Sequence, residues 1–127
     1  METKITMTTV ITVSDQDVDD IMVTALEGGI NYWCGKARVK ARPVGNPADM
    51  YASDIISKGG ILELSDAEEP DTKWELTKDK FFKGLSKYLS MEPGKVEENG
   101  TIDPANLDAN DADLIIQYAL FDEQVYG

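Results

Sequence analysis

The sequence predicts a single α+β domain in which a small, mainly antiparallel sheet is covered by about four helices. Three kinds of pattern lead to this fold class. Some segments place apolar residues at every second position, others place them three and four positions apart, and turn-forming residues separate the two kinds. In chain order they give β-α-β-α-β-β-α-α. A chain of 127 residues is long enough to bury one hydrophobic core, so one domain is expected over residues 1–127.

The chain begins with a predicted strand and helix. Residues 4–13 alternate along their length and are rich in β-branched side chains, which is typical of a strand. Ser14 follows as a helix N-cap, with carboxylates in the first turn, where they complement the helix dipole. Apolar residues then recur at helical spacing up to Gly28 and Gly29. The two glycines predict the end of this helix, because glycine accepts a positive φ.

Four bases occupy every second position of the next predicted strand. Lys36, Arg38, Lys40 and Arg42 share one side of it and are called the basic face here. Two interpretations of the basic face remain open. The bases neutralise acids on neighbouring strands or on the C-terminal third, and each cross-strand pair contributes roughly 0.2–1 kcal/mol. Alternatively, they form a small anion site. Two arginines on one face would suit such a site, because each guanidinium can fork onto a phosphate.

A helix and a hairpin follow. Residues 46–60 predict the second helix, with Asn46 as its cap and Pro47 in its first turn. Residues 61–64 and 73–76 flank a polar turn and predict the two strands of an antiparallel hairpin.

The remaining third of the chain predicts two helices separated by a polar loop. Thr77 is the expected cap of the third helix, which has one apolar face. Residues 92–108 are rich in turn formers and predict the loop. Asp108 then caps a final helix at about 109–121, and residues 123–127 are a candidate for a short edge strand.

Several kinds of active site are excluded because the chain contains no histidine. A Ser-His-Asp triad, a Cys-His pair and an imidazole zinc site all require it. Cys34 therefore has no histidine partner, and it is expected to be a small buried side chain. The glycine pairs at 28–29 and 59–60 follow predicted helices, whereas glycine-rich phosphate loops precede a helix. Both pairs are therefore interpreted as helix ends and not as phosphate loops. The acidic runs at 15–20 and 108–113 lack the glycine and the bidentate glutamate of a calcium loop. We predict no enzymatic activity, no cofactor and no metal site.

The charge of the chain limits its partners. It carries 24 acids and 12 bases, and residues 92–127 hold nine of these acids and one base, which gives 9 − 1 = 8 of the 12 net negative charges. Such a surface repels nucleic acid and anionic membranes and attracts a basic protein. No apolar run approaches the ~20 residues of a transmembrane helix. The start of the chain lacks a signal-peptide pattern, so a cytoplasmic location is expected.

The densest aromatic point, residues 30–34, leaves two interpretations open. Tyr32 and Trp33 either fill the gap between helix and sheet or form an exposed anchor for a partner.

Three segments of the sequence resemble a family of short acidic proteins from phages and other mobile elements of gut Firmicutes. They are "SDQDVDDIMVTALEGGINYWC", "GGILELSDAEEPDTKWELTKDKFFKGL" and "IIQYALFDEQVYG", which together cover most of the chain. The family has no established activity, so no functional residue carries over. The resemblance implies a setting among small phage accessory proteins, where counter-defence proteins are common.

The leading hypothesis is a non-enzymatic, phage-encoded counter-defence protein of the host cytoplasm. It would bind a basic host defence protein, such as a CRISPR nuclease, in the place of nucleic acid. The expected contact residues are six acids that imitate phosphates and two aromatic anchors: Glu97, Glu98, Asp103, Asp108, Asp111, Asp113, Tyr32 and Trp33. One alternative is a sponge that holds a phosphate-bearing signalling nucleotide between the basic face and Tyr32 or Trp33. Another is a structural or regulatory phage accessory protein.

Overall fold

The computed structural model describes residues 1–45 and 50–127 and confirms the α+β fold class. Within these ranges, four α-helices accompany one three-stranded antiparallel sheet. The helices are α1 (Asp15–Thr24), α2 (Ala52–Ile55), α3 (Lys78–Met91) and α4 (Ala109–Phe121), and the strands are β1 (Cys34–Ala41), β2 (Ile61–Asp66) and β3 (Lys73–Leu76). From α1 onward, this order is the predicted one.

The first predicted strand is the exception. Residues 1–10 are exposed, and the backbone of residues 1–11 makes no hydrogen bond to any other described residue. Of residues 4–13, only Thr12 forms a β-bridge within the described chain, which is parallel and joins it to Thr101. Alternation indicates a preference for extended backbone, but a strand also needs a neighbour for its N–H and C=O groups. In the described chain, no neighbouring segment forms backbone hydrogen bonds with residues 1–11.

Helix α1 begins as predicted and ends differently. The Ser14 hydroxyl accepts a hydrogen bond from the Asp17 amide at 3.0 Å, and the Asp17 carboxylate accepts one from the Ser14 amide at 2.9 Å. At its other end the helix continues into a π-helical turn, Ala25–Gly29, and neither glycine takes a positive φ. Gly29 is required for another reason, because an added Cβ would lie 2.9 Å from the carbonyl oxygen of Ala109.

The sheet has the order β1-β2-β3, and its second and third strands are the predicted hairpin. Arg38 lies opposite Glu63, and Glu63 lies opposite Glu75, so charged side chains of all three strands share one face. The other face carries Leu62 and Leu64, which are fully buried under the helices. The sheet therefore has one apolar face in the core and one charged face in solvent.

The second helix is short. Helix α2 has four residues and Tyr51 as its N-cap, while the predicted cap Asn46 and Pro47 lie outside the described residues. A turn follows the helix and reaches Gly59, whose φ of 91° lies in the left-handed region. Glycine is favoured at such a position because it has no Cβ.

Helices α3 and α4 begin at their predicted caps and pack closely on each other. The Thr77 hydroxyl accepts from the Lys80 amide at 3.3 Å, and Asp108 forms a capping box at the start of α4. The two backbones approach at Gly84, where an added Cβ would lie 2.3 Å from the carbonyl oxygen of Ile115. A side chain at position 84 would push the helices apart.

Residues 92–108, called the acidic loop here, connect these two helices. The loop contains two 3₁₀ turns, Pro93–Lys95 and Pro104–Asn106. Ile102 and Leu107 are buried and attach the loop to the hydrophobic core.

The C-terminal residues do not form the edge strand that was considered. The amides of Val125 and Tyr126 instead donate to the side-chain oxygen of Gln117, both at 2.8 Å. The amide nitrogen of Gln117 donates to the carbonyl oxygen of Tyr126 at 3.1 Å. A buried glutamine of α4 thus takes the place that a neighbouring strand would have.

Candidate functional site

The acidic loop is folded by its own backbone contacts. Val96 bridges antiparallel to Ile102. Gly100 takes a φ of 81° in the turn between them, which a residue without a Cβ adopts readily. Glu97 and Glu98 lie in this turn and are exposed. The turn therefore holds two neighbouring carboxylates in solvent on a defined backbone.

Two further predicted contact residues serve as helix caps. Asp103 accepts from the Ala105 amide at 3.0 Å, and Asp108 accepts from the Asp111 amide at 2.9 Å. Carboxylates at these positions satisfy free backbone N–H groups and complement the helix dipole. Asp103 and Asp108 remain exposed, so a partner could still reach them.

Asp111 is bound within the chain. Its carboxylate accepts from the Tyr88 hydroxyl and, at 2.8 Å, from the Asp108 amide, and Lys95 Nζ lies 3.5 Å away. Burial raises the pKa of Asp111, but the hydrogen bonds from Tyr88 and Asp108 outweigh burial and hold the pKa below its usual value. The side chain is only 14% exposed, so Asp111 offers little surface to a partner.

Asp113 lies inside the protein, contrary to the sequence prediction. Its Oδ1 accepts from Trp33 Nε1 at 2.7 Å and from Gln117 Nε2 at 2.9 Å, and its Oδ2 accepts from the Tyr32 hydroxyl at 2.5 Å. Asp113 is 6% exposed. The carboxylate binds three internal donors and cannot replace a phosphate on the surface.

Sequence reasoning did not identify Gln117 as the partner of Asp113. Gln117 is fully buried and joins the carboxylate to the C-terminal residues. One pattern could have revealed it. Asp113 and Gln117 are four positions apart on the helix face that also carries Ile116, and a polar pair on an apolar face has to be bonded internally.

The structure separates the two predicted aromatic anchors. Trp33 is 2% exposed, stacks on Tyr126 with ring centroids 5.0 Å apart and meets Trp74 edge-on at 5.8 Å. It fills the core, as the first interpretation proposed. Tyr32 is 55% exposed. Burial of its hydroxyl and the hydrogen bond to Asp113 raise the pKa of Tyr32 to about 12.

Two of the four bases of the basic face are paired with acids of the same sheet. Arg38 Nη2 and Nε lie 3.2 and 3.3 Å from Glu63 Oε1, and Lys40 bonds to Glu75. Glu63 is central, since Lys73 Nζ also lies 3.8 Å from its Oε1. These contacts agree with the interpretation that the bases neutralise acids on neighbouring strands.

The geometry does not favour a phosphate site on this face. Arg42 donates to the carbonyl oxygen of Met50 at 3.1 Å, and Arg38 is bound to Glu63. A concavity of about 420 Å³ adjoins Lys36, but three bases and three acids line it, so its field does not select anions. Trp33, which would have stacked on a nucleotide, is buried.

The described residues contain no group of three or more Cys, Asp or Glu side chains placed to hold a metal ion. Cys34 is buried, and its thiol donates to the carbonyl oxygen of Lys36 at 3.3 Å. Burial raises the pKa of this thiol, which favours its unreactive protonated form. Over the described residues, no helix has both the length and the apolar composition to cross a membrane.

No protein-family model, curated protein or solved structure matches this chain. The surfaces described above therefore carry the functional proposal.

Proposed function

We propose that the chain is a non-enzymatic binding protein whose acidic loop contacts a basic partner. The observation that carries this proposal is a set of exposed carboxylates with no cation within 4 Å in the described chain: Glu97, Glu98, Asp103 and Asp108. The one base of the loop does not offset them. Lys95 Nζ donates to the carbonyl oxygen of Asn106 at 2.9 Å and pairs with Asp111.

The electrostatics of the loop suit recognition of a basic surface. Residues 92–108 contain five acids and one base, a net charge of 1 − 5 = −4. Because the backbone is already folded, few degrees of freedom would be lost when these carboxylates meet a partner. The charge would mainly accelerate association, and its reach is limited to about 8 Å at physiological ionic strength.

The concrete form of the proposal is a phage-encoded counter-defence protein in the host cytoplasm. It would occupy the nucleic-acid channel of a basic defence protein such as a CRISPR nuclease, with carboxylates in the place of phosphates. The resemblance to acidic phage proteins supports the setting, and the charge of the loop supports the mimicry. Direct binding of nucleic acid is not expected, since like charges repel.

A matched pair of variants tests the role of the loop. Glu97→Gln with Glu98→Gln removes two neighbouring charges from the acidic loop, and Glu68→Gln with Glu69→Gln removes two from the hairpin turn. Affinity for a CRISPR nuclease would be measured by biolayer interferometry at low and high salt. We expect the loop variant to bind about tenfold more weakly and the hairpin variant to bind nearly as well as the natural sequence.

Two results would contradict the proposal. Equal weakening by both variants would show that total charge matters and that the loop is not the contact surface. Affinity that does not change with salt would show that the exposed carboxylates only keep the protein in solution.

A further inference from the structure

The only base of the acidic loop lies where the two ends of the loop meet. Lys95 closes the first 3₁₀ turn, and Asn106 closes the second. Lys95 Nζ donates to the carbonyl oxygen of Asn106 at 2.9 Å and lies 3.5 Å from Asp111 Oδ2 in the first turn of α4. One side chain therefore joins three parts of the chain: the start of the loop, its end and the helix that follows.

Asp111 is a fixed point for this contact. Its carboxylate accepts hydrogen bonds from the Tyr88 hydroxyl of α3 and, at 2.8 Å, from the Asp108 amide. Because the Asp111 side chain is only 14% exposed, water screens its charge less than that of a fully exposed carboxylate. The ammonium group of Lys95 is thus held to the packed pair of helices α3 and α4.

The contact reaches the exposed carboxylates through the second 3₁₀ turn. Asn106, whose carbonyl oxygen binds Lys95, has its side-chain Nδ2 3.4 Å from Glu97 Oε1. The Glu97 amide donates to the carbonyl oxygen of Thr101 at 2.8 Å, and the Gly100 amide donates to that of Glu97 at 3.0 Å. The position of the Glu97–Glu98 turn relative to the helices therefore depends on Lys95.

Charge alone gives Lys95 no role in binding a basic partner. The loop has a net charge of 1 − 5 = −4 with this lysine and would have −5 without it, so the lysine weakens the attraction. A partner that recognised only total charge would bind more tightly in its absence. The contacts of Lys95 indicate a different role, because a loop that is held in one shape loses less conformational freedom on binding.

We propose that Lys95 is a positioning residue of the acidic loop, and that the loop consequently selects a folded basic surface over a flexible basic peptide. This inference rests on the proposed function of the loop. A folded surface carries its bases at fixed separations, so its affinity depends on where Glu97 and Glu98 are held. A flexible peptide adjusts to the carboxylates wherever they lie, so its affinity depends mainly on charge.

Lys95→Met tests the proposal, because charge and shape predict opposite results. Affinity for a CRISPR nuclease, as the folded basic protein, would be compared with affinity for an oligolysine peptide by biolayer interferometry. We expect Lys95→Met to bind the nuclease about tenfold more weakly, and to bind oligolysine at least as tightly as the natural sequence does. Lys95→Arg keeps the charge and the N–H donors, so it should restore most of the affinity for the nuclease.

Lys87→Met is the matched control. Lys87 Nζ also bonds to a carbonyl oxygen and a carboxylate, both of Asp122. Its side chain is 37% exposed, against 34% for Lys95. The substitution removes the same charge from a residue outside the acidic loop, so it should leave the affinity for both probes nearly unchanged.

Hydrogen exchange tests the position of the loop without a partner. The amides of Glu97 and Gly100 donate within the turn, so they are protected only while the turn is closed. We expect both amides to exchange about tenfold faster in Lys95→Met and at the natural rate in Lys87→Met. Equal rates in the natural protein and in Lys95→Met would overturn the proposal, since the loop would then keep its shape without Lys95.

The outcomes separate this proposal from the proposed function. Tighter nuclease binding by Lys95→Met, with weaker binding by Glu97→Gln with Glu98→Gln, would show that the loop binds through charge alone. The positioning role would then be wrong and the contact surface right. Equal weakening of nuclease and oligolysine binding by Lys95→Met would overturn the selection of a folded surface. Nuclease affinity that neither variant changes would refute the contact surface itself, and hydrogen exchange would then decide the positioning role.

Discussion

Replacing Asp113 by alanine should lower the free energy of unfolding by about 3–5 kcal/mol, because one carboxylate accepts hydrogen bonds from three donors. The largest part of this loss comes from the hydrogen bond that Trp33 donates. Its Nε1 is buried and bonds to no other acceptor in the described chain, and an orphaned buried donor costs about 1–3 kcal/mol. The other two donors lose less, since Gln117 keeps its bond to Tyr126 and the half-exposed Tyr32 can turn to water.

Asparagine at position 113 separates hydrogen bonding from charge. Its amide oxygen can take the place of Oδ1 and accept from both Trp33 and Gln117. Its amide nitrogen would then face Tyr32, whose hydroxyl can rotate to accept. Asp113→Asn should therefore cost only about 1–2 kcal/mol, and Tyr32→Phe, which removes the most exposed donor, should cost no more than about 1 kcal/mol.

Urea unfolding at neutral pH, followed by circular dichroism and tryptophan fluorescence, would measure these differences. We expect the free energy of unfolding to fall most for Asp113→Ala, less for Asp113→Asn and least for Tyr32→Phe. If asparagine were as costly as alanine, the negative charge and not the acceptor geometry would stabilise this site. A loss below about 1 kcal/mol for alanine would mean that water replaces the carboxylate, which would refute the reasoning.

Three further predictions concern the helix crossing, the response to acid and the basic face. Gly84→Ala should destabilise the protein strongly, because the new Cβ would lie 2.3 Å from a carbonyl oxygen of α4. Gly94→Ala is the control: its Cβ would meet open space, so its urea midpoint should be nearly unchanged. Stability should fall as the pH drops below about 4, because the pKa values of Asp66 and Asp111 are lower in the folded than in the unfolded chain. Tyr88→Phe should reduce this fall by removing a bond that lowers the pKa of Asp111; an unchanged acid profile would contradict that assignment. Arg38→Gln with Arg42→Gln should lower the free energy of unfolding by no more than about 1–2 kcal/mol, measured as a shift of the urea midpoint, and a larger loss would show that the pair with Glu63 is more than a surface pair.

Local features of the fold were predictable from the sequence. The helix caps at Ser14, Thr77 and Asp108 are correct because a cap hydrogen bond joins residues only three positions apart. The hairpin of β2 and β3 is correct for a similar reason, since a short polar turn brings its own strands together.

Two predicted strands, one near each end of the chain, did not form. A strand needs a neighbouring strand, and the alternation of its own residues does not show whether one is present. Residues 4–13 have the alternation of a strand, but in the described chain only Thr12 among them pairs with a neighbouring segment. Residues 123–127 meet a glutamine side chain of α4 in place of a sheet edge. In both cases the chain has the right local preference, and packing elsewhere decides whether a neighbour is present.

The sequence by itself determined the charge of this protein, its lack of histidine and the periodic faces of its helices. Only the tertiary structure decided which carboxylates reach solvent. Asp113 and Glu98 are both acids of the C-terminal third, yet one is bound to Trp33, 80 positions away, and the other is exposed. Periodicity describes neighbours within a turn or two, whereas a contact over 80 positions depends on how every element between them packs.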